Sequence, residues 1–457
     1  MKNNIIKKIE RVIGKKNILL SDKEKNKYLT EWRNRYTGEA KAILRPKTTK
    51  EVSSLLKLFY KNNIPITPQG GNTGMVGGST PLNGELIISL RKMKNLNFSD
   101  TNDNQIVAEA GATLLEIQNL ALERSMIYGV DFAARDSATI GGTIATNAGG
   151  LNVLRYGTTR RQIISVEAVT GTGEIIGNLN GLDKDNTGYH LPSLLCGSEG
   201  TLAIVTRAKL RLRPKPKENV SILFGLDTIQ DAVNLTEACV STSTEIIACE
   251  LFFQKGVDLV REAYDLQPLW NNKNSIYLLC EFAGDLGVLD RLNENVLGEM
   301  LRTHDSILVA TSDRERQRLW QYRELHTLAI SNKGIPLKLD VTIPLGNLTH
   351  FLDSIATICG NINPLSIPYV FGHSADGNMH LNILQSEPNV AEMEEEILKF
   401  VVSLDGSISA EHGIGRAKAP YLHLQRNEEE IRLFREMKKA FDPKGILNPD
   451  VIFPASR

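Results

Sequence analysis

The chain lacks a net charge and a long apolar run. Its 53 lysines and arginines balance its 53 aspartates and glutamates over 457 residues, so no net field draws it to nucleic acid or to an anionic membrane. No apolar stretch reaches the roughly 18 residues of a membrane span, and the charged N-terminus does not resemble a signal peptide. We therefore expect a cytoplasmic protein without a membrane span, whose partners are small molecules or proteins.

Cysteine is also scarce. The five cysteines are odd in number and widely spaced, without a C-x-x-C pair, which indicates reduced thiols rather than a disulfide framework or a zinc finger. The 41% hydrophobic and 23% charged content excludes a disordered, collagen-like or coiled-coil chain. The length predicts two large domains, or one domain with elaborations.

Proline and strand patterns predict where the domains meet. Pro214 and Pro216 interrupt the segment 211–219, which is the best candidate for a domain boundary. Before it, strand-like segments alternate with helical ones, which indicates an α+β class. After it, LKLDVTI (337–343) alternates apolar and polar residues and predicts a half-buried antiparallel strand. Isoleucines and a valine at helical spacing in residues 5–13 predict an N-terminal helix.

Three glycine-rich segments are candidates for a cofactor site. PQGGNTGMVGGS (68–79) follows a short strand and can point many backbone N–H groups inward, as a pyrophosphate requires. ATIGGTIATNAGG (138–150) and GSEGT (197–201) have similar composition. Each segment alone could be a tight turn, but the three together favour a dinucleotide. The fourth glycine-containing segment, GTGEIIG (171–177), is better explained as a hairpin turn.

Histidines predict a metal site. Asp376-Gly377 favours a two-residue type I′ hairpin turn, which would place His373 directly opposite His380, and Asn382 on the same face. The alternative is a stacked pair on an edge sheet. Glu411 would complete a site with two imidazoles and one carboxylate, suited to Zn²⁺, with Mn²⁺ or Fe²⁺ open. His412, if it is not a ligand, is free to act as a base.

A cationic group could bind a carboxylate. Arg323 and Thr327 are four residues apart, which predicts one helix face, and Lys338 lies on the polar side of the alternating strand. Arg, Lys and a hydroxyl together form a carboxylate receptor. The alternative is a solvated helix face paired with Glu324 or Asp340.

Taken in order, PQGGNTGMVGGS, GGTIATNAGG, GSEGTLAIVT, GHSADGNMHLN, EHGIG and FDPKGILNP resemble the FAD-linked D-2-hydroxyacid dehydrogenases of the vanillyl-alcohol oxidase/p-cresol methylhydroxylase superfamily. The resemblance implies an N-terminal helical segment (1–39), a PCMH-type FAD-binding domain (40–215) and a cap domain with an antiparallel sheet and flanking helices (220–420). It also implies a C-terminal segment (421–457) that returns to the FAD domain.

The same resemblance implies a set of cofactor residues. Residues matching the family's FAD contacts are Pro68, Gly70, Gly71, Asn72, Thr73, Gly74, Gly77, Gly78, Ser137, Gly141, Gly142, Thr143, Asn147, Gly150, Asn186, Glu199, Gly200, Ile204 and Asn448. Many members of the superfamily attach FAD to a histidine of the first glycine loop. This loop contains none, so we expect non-covalent FAD.

The resemblance also assigns roles to the histidines and cations. His373, His380 and Glu411 match metal ligands, and Asn382 and His412 match residues that hold the substrate and take its proton. Arg323, Thr327 and Lys338 have the spacing by which D-2-hydroxyglutarate dehydrogenases hold the distal carboxylate. The implied reaction is metal-assisted proton removal with hydride transfer to flavin N5, giving the 2-oxo acid.

Several alternatives to this function are open. One is a D-lactate or glycolate dehydrogenase of the same family, in which the cationic trio is only surface. Others are a non-flavin metalloprotein that uses His373, His380 and Glu411, and a silent FAD-binding subunit. The expected partners are a small 2-hydroxy acid and an electron acceptor, for which an electron-transferring flavoprotein, a quinone and a cytochrome are equally open. The oligomeric state is open, and a homodimer is one alternative.

Overall fold

The computed structural model describes residues 3–32, 34–270, 274–294, 298 and 306–454. The chain divides into two compact units. Unit 1 comprises Met1–Gly150, Tyr156–Lys215 and Glu411–Arg457, and unit 2 comprises Leu151–Arg155 and Pro216–Ala410.

Helices and strands alternate through most of the described chain. The helices are α1 (Asn3–Ile13), α2 (Asp22–Leu29), α3 (Thr49–Asn62), α4 (Leu114–Leu122), α5 (Ile140–Thr146), α6 (Val153–Tyr156), α7 (Thr159–Gln162), α8 (Leu191–Leu195), α9 (Ile229–Thr242), α10 (Gln254–Tyr264), α11 (Val288–Asn293), α12 (Asp313–Glu324), α13 (His326–Ser331), α14 (Leu345–Ile362), α15 (Val390–Ser403), α16 (Leu422–Gln425) and α17 (Glu428–Phe441). Short 3₁₀ turns occupy Lys15–Asn17, Ser374–Asp376 and Ala419–Tyr421.

The strands form three sheets among the described residues. They are β1 (Ile18–Leu19), β2 (Ile43–Leu44), β3 (Ile66–Gln69), β4 (Leu86–Ser89), β5 (Leu96–Ser99), β6 (Asn102–Glu109), β7 (Met126–Tyr128), β8 (Ile163–Thr170), β9 (Ile175–Gly177), β10 (Ala203–Pro214), β11 (Glu218–Leu226), β12 (Ile246–Phe253), β13 (Ile276–Gly284), β14 (Ile307–Ala310), β15 (Leu337–Thr342), β16 (Ile367–His373) and β17 (Asn378–Leu384).

Unit 1 contains two of these sheets. One is four-stranded, in the order β1-β2-β4-β3, with parallel pairing among β2, β4 and β3. The other has the order β5-β6-β10-β8-β9, and β7 pairs with β10. The first glycine loop leaves β3 at the carboxyl end of a parallel strand, which is where ligands bind in many α/β sheets. Buried aliphatic side chains of α1, α3, β3 and β4 form the core under this loop.

Unit 2 is built on one antiparallel sheet with flanking helices. Its order is β14-β11-β13-β12-β16-β17-β15, and every pair in it is antiparallel. Residues of one face pack against α9 in a buried core. The alternation predicted for LKLDVTI is confirmed, because Leu337, Leu339 and Val341 are buried and β15 pairs antiparallel with β17.

Other local predictions can be compared with the structure. The N-terminal helix is confirmed by α1, which buries Ile5, Ile9 and Ile13. The hairpin at 171–177 is confirmed by the antiparallel pairing of β8 with β9. No helix within the described ranges combines the length and apolar content needed to cross a bilayer.

The C-terminal return differs from its predicted position. Unit 1 takes up the chain again at Glu411, ten residues before the predicted 421. The difference has a physical cause, because the chain after Glu411 is tied to unit 1 by its own backbone and by a buried ion pair. Arg416 Nη2 lies 3.0 Å from Glu85 Oε1, and the Arg416 N–H donates to Val76 O at 2.8 Å.

Candidate active site

The first two glycine loops pack directly against each other in unit 1. A Cβ on Gly70 would lie 2.2 Å from Thr139 Oγ1, and a Cβ on Gly71 would lie 2.0 Å from Ser137 O. Only glycine allows this approach. A Cβ on Gly74, by contrast, would meet nothing within 4 Å, so the middle of the loop faces open space.

Side chains hold the first loop in shape. Arg91 Nε donates to Gly70 O at 3.1 Å, and Arg91 Nη2 donates to Gly71 O at 2.6 Å. Asn72 has a φ of 57° and is held by bonds to Thr30 O and Ser79 Oγ, at 2.8 and 2.9 Å. These bonds involve carbonyl and side-chain groups of the loop and not its backbone N–H groups, which are the donors that an anion site uses.

A buried hydroxyl supports a ligand in this region. Thr139 is 2% exposed, and its Oγ1 has no hydrogen-bond partner among the described residues. Buried polar atoms in proteins are normally satisfied by protein, water or ligand. The unsatisfied Thr139 hydroxyl beside two glycine loops therefore fits a polar cofactor.

The third loop connects to the C-terminal segment. Asn448 Nδ2 donates to Gly78 O and to Glu199 O, both at 2.8 Å. The Glu199 carboxylate accepts the N–H groups of Ile414 and Gly415, each at 2.8 Å. Burial raises the pKa of Glu199 to about 7 against the opposing effect of these two donors. Glu199 thus fixes the backbone just after His412.

The remaining predicted cofactor residues do not all lie together. Gly141 and Thr143 are buried in α5, and Asn147 ends that helix with a φ of 50°. Gly150 donates its N–H to Glu411 Oε1 at 2.8 Å. Two residues differ from the rest: Asn186 is exposed in the loop between β9 and α8, and the Ile204 side chain belongs to the hydrophobic core.

In unit 2, two histidines lie side by side on one face of the sheet. The rings of His373 and His380 are 5.3 Å apart, at an interplanar angle of 83°. His373 Nδ1 lies 2.6 Å from Glu250 Oε1, and His380 Nδ1 lies 3.4 Å from Asp340 Oδ1. Both carboxylates are buried.

The predicted pairing of these histidines is wrong. His373 pairs with Asn378, and His380 pairs with Phe371, so the histidines are diagonal neighbours rather than directly opposite. The cause is the loop, which contains a 3₁₀ turn at Ser374–Asp376 and Gly377 with a φ of 73°. Side chains of diagonal partners on one face still come within reach, and the short distance between the rings follows from this geometry.

The geometry suits metal binding through the Nε2 atoms. Metal-ligating histidines usually donate their other ring N–H to a carboxylate, which fixes the tautomer and the ring orientation. Glu250 and Asp340 occupy this position at the Nδ1 atoms of His373 and His380, respectively. Two imidazoles held in this way are suited to ligating a divalent metal ion.

Arg323 lies beside the histidines and is not a solvated residue. Arg323 is 7% exposed, its Nε lies 2.8 Å from Glu250 Oε2, and its guanidinium carbon lies 4.6 Å from the centre of the Phe371 ring. Burial raises the pKa of Glu250, but the charges of His373 and Arg323 outweigh burial and bring the pKa down to about 2. The carboxylate beside Arg323 is thus that of Glu250, which was not one of the predicted partners.

The other predicted substrate residues lie in the same unit. Arg323 and Thr327 do not share one unbroken helix, because α12 ends at Glu324 and α13 begins at His326. Lys338 Nζ lies 3.4 Å from Ser331 Oγ, which donates to Thr327 O at 2.8 Å. Asn382 is buried and pairs with Lys338 across β15 and β17.

Glu250, which contacts both His373 and Arg323, was not among the residues predicted from the sequence. A signal for it was present, since Glu250 is the one charged residue within the apolar segment IIACELFF (246–253). A buried carboxylate needs charged or polar partners. Asp340 was considered only as a partner of the cations, whereas the structure places it next to His380.

Comparison with known proteins identifies relatives that match nearly the whole chain. Residues 215–452 match the family described as FAD linked oxidases, C-terminal domain, and residues 40–177 match the FAD binding domain. D-2-hydroxyglutarate dehydrogenase, mitochondrial, of Bos taurus is 36% identical over 93% of this chain and 79% of its own length. D-2-hydroxyglutarate dehydrogenase of Xanthomonas citri pv. viticola is 34% identical over 93% of this chain and 92% of its own.

The chain belongs to the family of FAD-linked D-2-hydroxyacid dehydrogenases. The resemblance inferred from the glycine and histidine motifs is thereby confirmed, and a member of this family is an FAD-dependent oxidoreductase acting on CH–OH donors.

Solved structures of the same fold support the predicted fold class. p-Cresol methylhydroxylase with substrate bound has a TM-score of 0.78 at 15% identity, covering 99% of this chain and 97% of that chain. Alkyldihydroxyacetonephosphate synthase has a TM-score of 0.73 at 17% identity, covering 98% of this chain and 85% of that chain. The α+β class, with a PCMH-type FAD-binding domain and an antiparallel sheet, is therefore confirmed for this family member.

Proposed function

We propose that the chain oxidises D-2-hydroxyglutarate to the corresponding 2-oxo acid. The observation that carries this proposal is the environment of Arg323, a nearly buried guanidinium that lies over the Phe371 ring and shares the Glu250 carboxylate with His373. Its Nε faces Glu250 Oε2 at 2.8 Å, and its two Nη groups are the ones suited to a substrate carboxylate in bidentate geometry. Lys338 and Thr327, linked through Ser331, supply a second cation and a hydroxyl.

FAD is the redox cofactor, and we propose that it is held without a covalent bond. Bound FAD would supply the acceptor for a hydride from C2 of the substrate. The first glycine loop contains no histidine, cysteine or tyrosine that could form a bond to the flavin. Backbone N–H groups around Gly70 to Gly74, the Thr139 hydroxyl and the α5 N-terminal turn are the groups suited to its polar parts.

We propose that His373 and His380 bind a divalent ion through Nε2, with Glu411 as the third ligand and zinc as the preferred metal. The carboxylates of Glu250 and Asp340 at the two Nδ1 atoms support this assignment. Glu411 directly follows Ala410, whose N–H donates to Asp340 O at 3.4 Å. A bound ion would lower the pKa of the substrate hydroxyl.

His412 is the proposed base, and Asn382 the proposed substrate-positioning residue. An imidazole is suited to proton removal near neutral pH. Glu199 holds the two N–H groups that follow Gly413, so the backbone after His412 is fixed before substrate binds. Asn382 is 3% exposed and lies two residues beyond His380 on the same face of β17, from where its amide can donate to a carboxylate.

We propose a reducing compartment, the cytoplasm, and a separate electron acceptor. All five cysteines are unpaired and buried, as expected for a chain that folds without disulfides. An electron-transferring flavoprotein, a quinone and a cytochrome are the acceptor classes to be compared, by adding each to enzyme reduced with substrate and measuring its reoxidation.

The substrate proposal can be tested by dye reduction with purified holoenzyme. We expect kcat/KM for D-2-hydroxyglutarate to exceed that for D-lactate, and Lys338→Ala to reduce this ratio by roughly ten- to a hundredfold, because one charge-assisted contact is lost. Lys333→Ala is the matched control, since Lys333 pairs with exposed Glu262 in the same unit. A faster reaction with D-lactate, or a ratio unchanged by Lys338→Ala, would contradict the proposal.

A further inference from the structure

The helix that carries Arg323 is attached to the sheet of unit 2 at a second point. Arg316, Trp320 and Arg323 follow one another on α12 at intervals of four and three residues. Side chains with this spacing share one face of a helix. This face therefore presents two guanidinium groups and one indole N–H to the sheet.

A single buried carboxylate receives the first two of these side chains. Glu281 on β13 is 2% exposed. Trp320 Nε1 donates to Glu281 Oε2 at 2.9 Å, Arg316 donates to Oε1, and Ser221 Oγ of β11 donates to Oε2. A carboxylate that accepts three donors in a buried position is held in one orientation, and it holds its partners in turn.

Glu250 makes the equivalent contact one strand away. β12, which carries Glu250, lies next to β13 in the sheet, and Glu250 Oε2 lies 2.8 Å from Arg323 Nε. Two carboxylates on adjacent strands thus hold successive turns of one helix. Leu319 and Tyr322 pack α12 into the core, and the two polar contacts add a defined rotation of the helix about its axis, on which the direction of the Arg323 guanidinium depends.

We propose that Glu281, Arg316 and Trp320 form a positioning anchor that contributes to substrate selection by orienting Arg323. None of the three is a substrate ligand in the proposed function; they act through α12. The inference rests on that proposed function, since it assigns Arg323 to the second carboxylate of the substrate. It predicts that changes in the anchor affect a dicarboxylate and spare a monocarboxylate.

Two variants and one control test the anchor in the holoenzyme. Trp320→Phe removes the indole N–H and keeps an aromatic ring, and Glu281→Gln removes the charge at nearly constant shape. Asp313→Asn is the control, because Asp313 pairs with the same Arg316 at 2.9 Å but its side chain is 89% exposed. The measurements are KM and kcat for D-2-hydroxyglutarate and for D-lactate, with flavin content and Tm.

We expect KM for D-2-hydroxyglutarate to rise roughly three- to tenfold in both anchor variants, since small displacements of a binding group weaken its contact. KM for D-lactate and flavin content should stay at wild-type values, and Asp313→Asn should have no effect. Equal changes for both substrates, or an unchanged KM for D-2-hydroxyglutarate in folded Trp320→Phe, would overturn the anchor. A wild-type enzyme without preference for D-2-hydroxyglutarate would instead contradict the proposed function, before any variant is compared.

Discussion

Replacing Glu250 by glutamine is predicted to weaken the fold and the metal site at once. Glu250 is fully buried, with one oxygen 2.6 Å from His373 Nδ1 and the other 2.8 Å from Arg323 Nε. Glutamine has nearly the same shape but no charge. The variant therefore leaves the Arg323 guanidinium buried without its counter-ion and removes the carboxylate that orients His373.

The expected size of the effect follows from two independent arguments. Removing one partner of a buried ion pair costs about 3–5 kcal/mol. The pKa of Glu250 is lowered from 4.5 to about 2, and that difference corresponds to about 3 kcal/mol of stability. For a unit of this size, a loss of about 3 kcal/mol lowers Tm by roughly 10 °C.

The shift in the pKa of Glu250 also determines how the stability changes with pH. Because the pKa is lowered in the folded state, the stability from Glu250 is present above pH 4.5 and is lost as the pH falls toward about 2. The difference in Tm between wild type and Glu250→Gln should therefore be full near neutral pH and should shrink below pH 4.5.

Thermal unfolding and metal analysis together test this reasoning. Glu281→Gln is the matched control. Glu281 is a buried carboxylate on the neighbouring strand, and its partners are Arg316 and Trp320 rather than the histidines. We expect both variants to lose stability, but only Glu250→Gln to lose metal affinity, by about 10- to 100-fold. Wild-type stability and metal content in Glu250→Gln would refute the reasoning.

Two further perturbations have defined outcomes. Burial, and then the charge of Arg323, lowers the pKa of His326 to about 3 from 6.5, so its stability contribution is present above pH 6.5 and is lost as the pH falls toward 3. His326→Phe should reduce the slope of unfolding free energy against pH by about 1.4 kcal/mol per unit in this range, and an unchanged slope in chemical denaturation would contradict this. Arg91→Ala removes the donors to Gly70 O and Gly71 O and should weaken FAD binding roughly tenfold, as measured by fluorescence titration of the apoprotein. Arg124→Ala, which removes a guanidinium lying over Phe98 in the same unit, should bind FAD as the wild type does, and equal losses in both variants would contradict the role given to Arg91.

Much of the fold could be predicted because its signals are local. The alternation in residues 337–343 and the helical spacing in residues 5–13 each depend on one face of one element being buried, and both predictions are confirmed. The glycine loops were recognisable for a related reason, since Gly70 and Gly71 are required by close contacts with the next loop. A position that only glycine can occupy is visible in the sequence itself.

The remainder depended on contacts between distant segments. The dipeptide Asp376-Gly377 favours a two-residue turn when only the local sequence is considered. In the structure, however, Ile343 donates its N–H to Gly377 O, and Asn378 Nδ2 donates to Asp340 Oδ1. These bonds to the neighbouring strand favour a longer loop and shift the pairing of β16 with β17. Similarly, the partner of Arg323 could not be read from its neighbours in sequence, because Glu250 lies more than 70 residues away.

Metal-assisted oxidation of a 2-hydroxy dicarboxylate is the central claim, and anaerobic reduction of the bound flavin tests it directly. Holoenzyme mixed with D-2-hydroxyglutarate in the absence of an acceptor should lose its oxidised-flavin absorbance within the time of one turnover. Enzyme treated with a chelator should keep that absorbance, and added Zn²⁺ should restore the reaction. Reduction at an equal rate after complete removal of the metal, or reduction by D-lactate alone, would contradict the account.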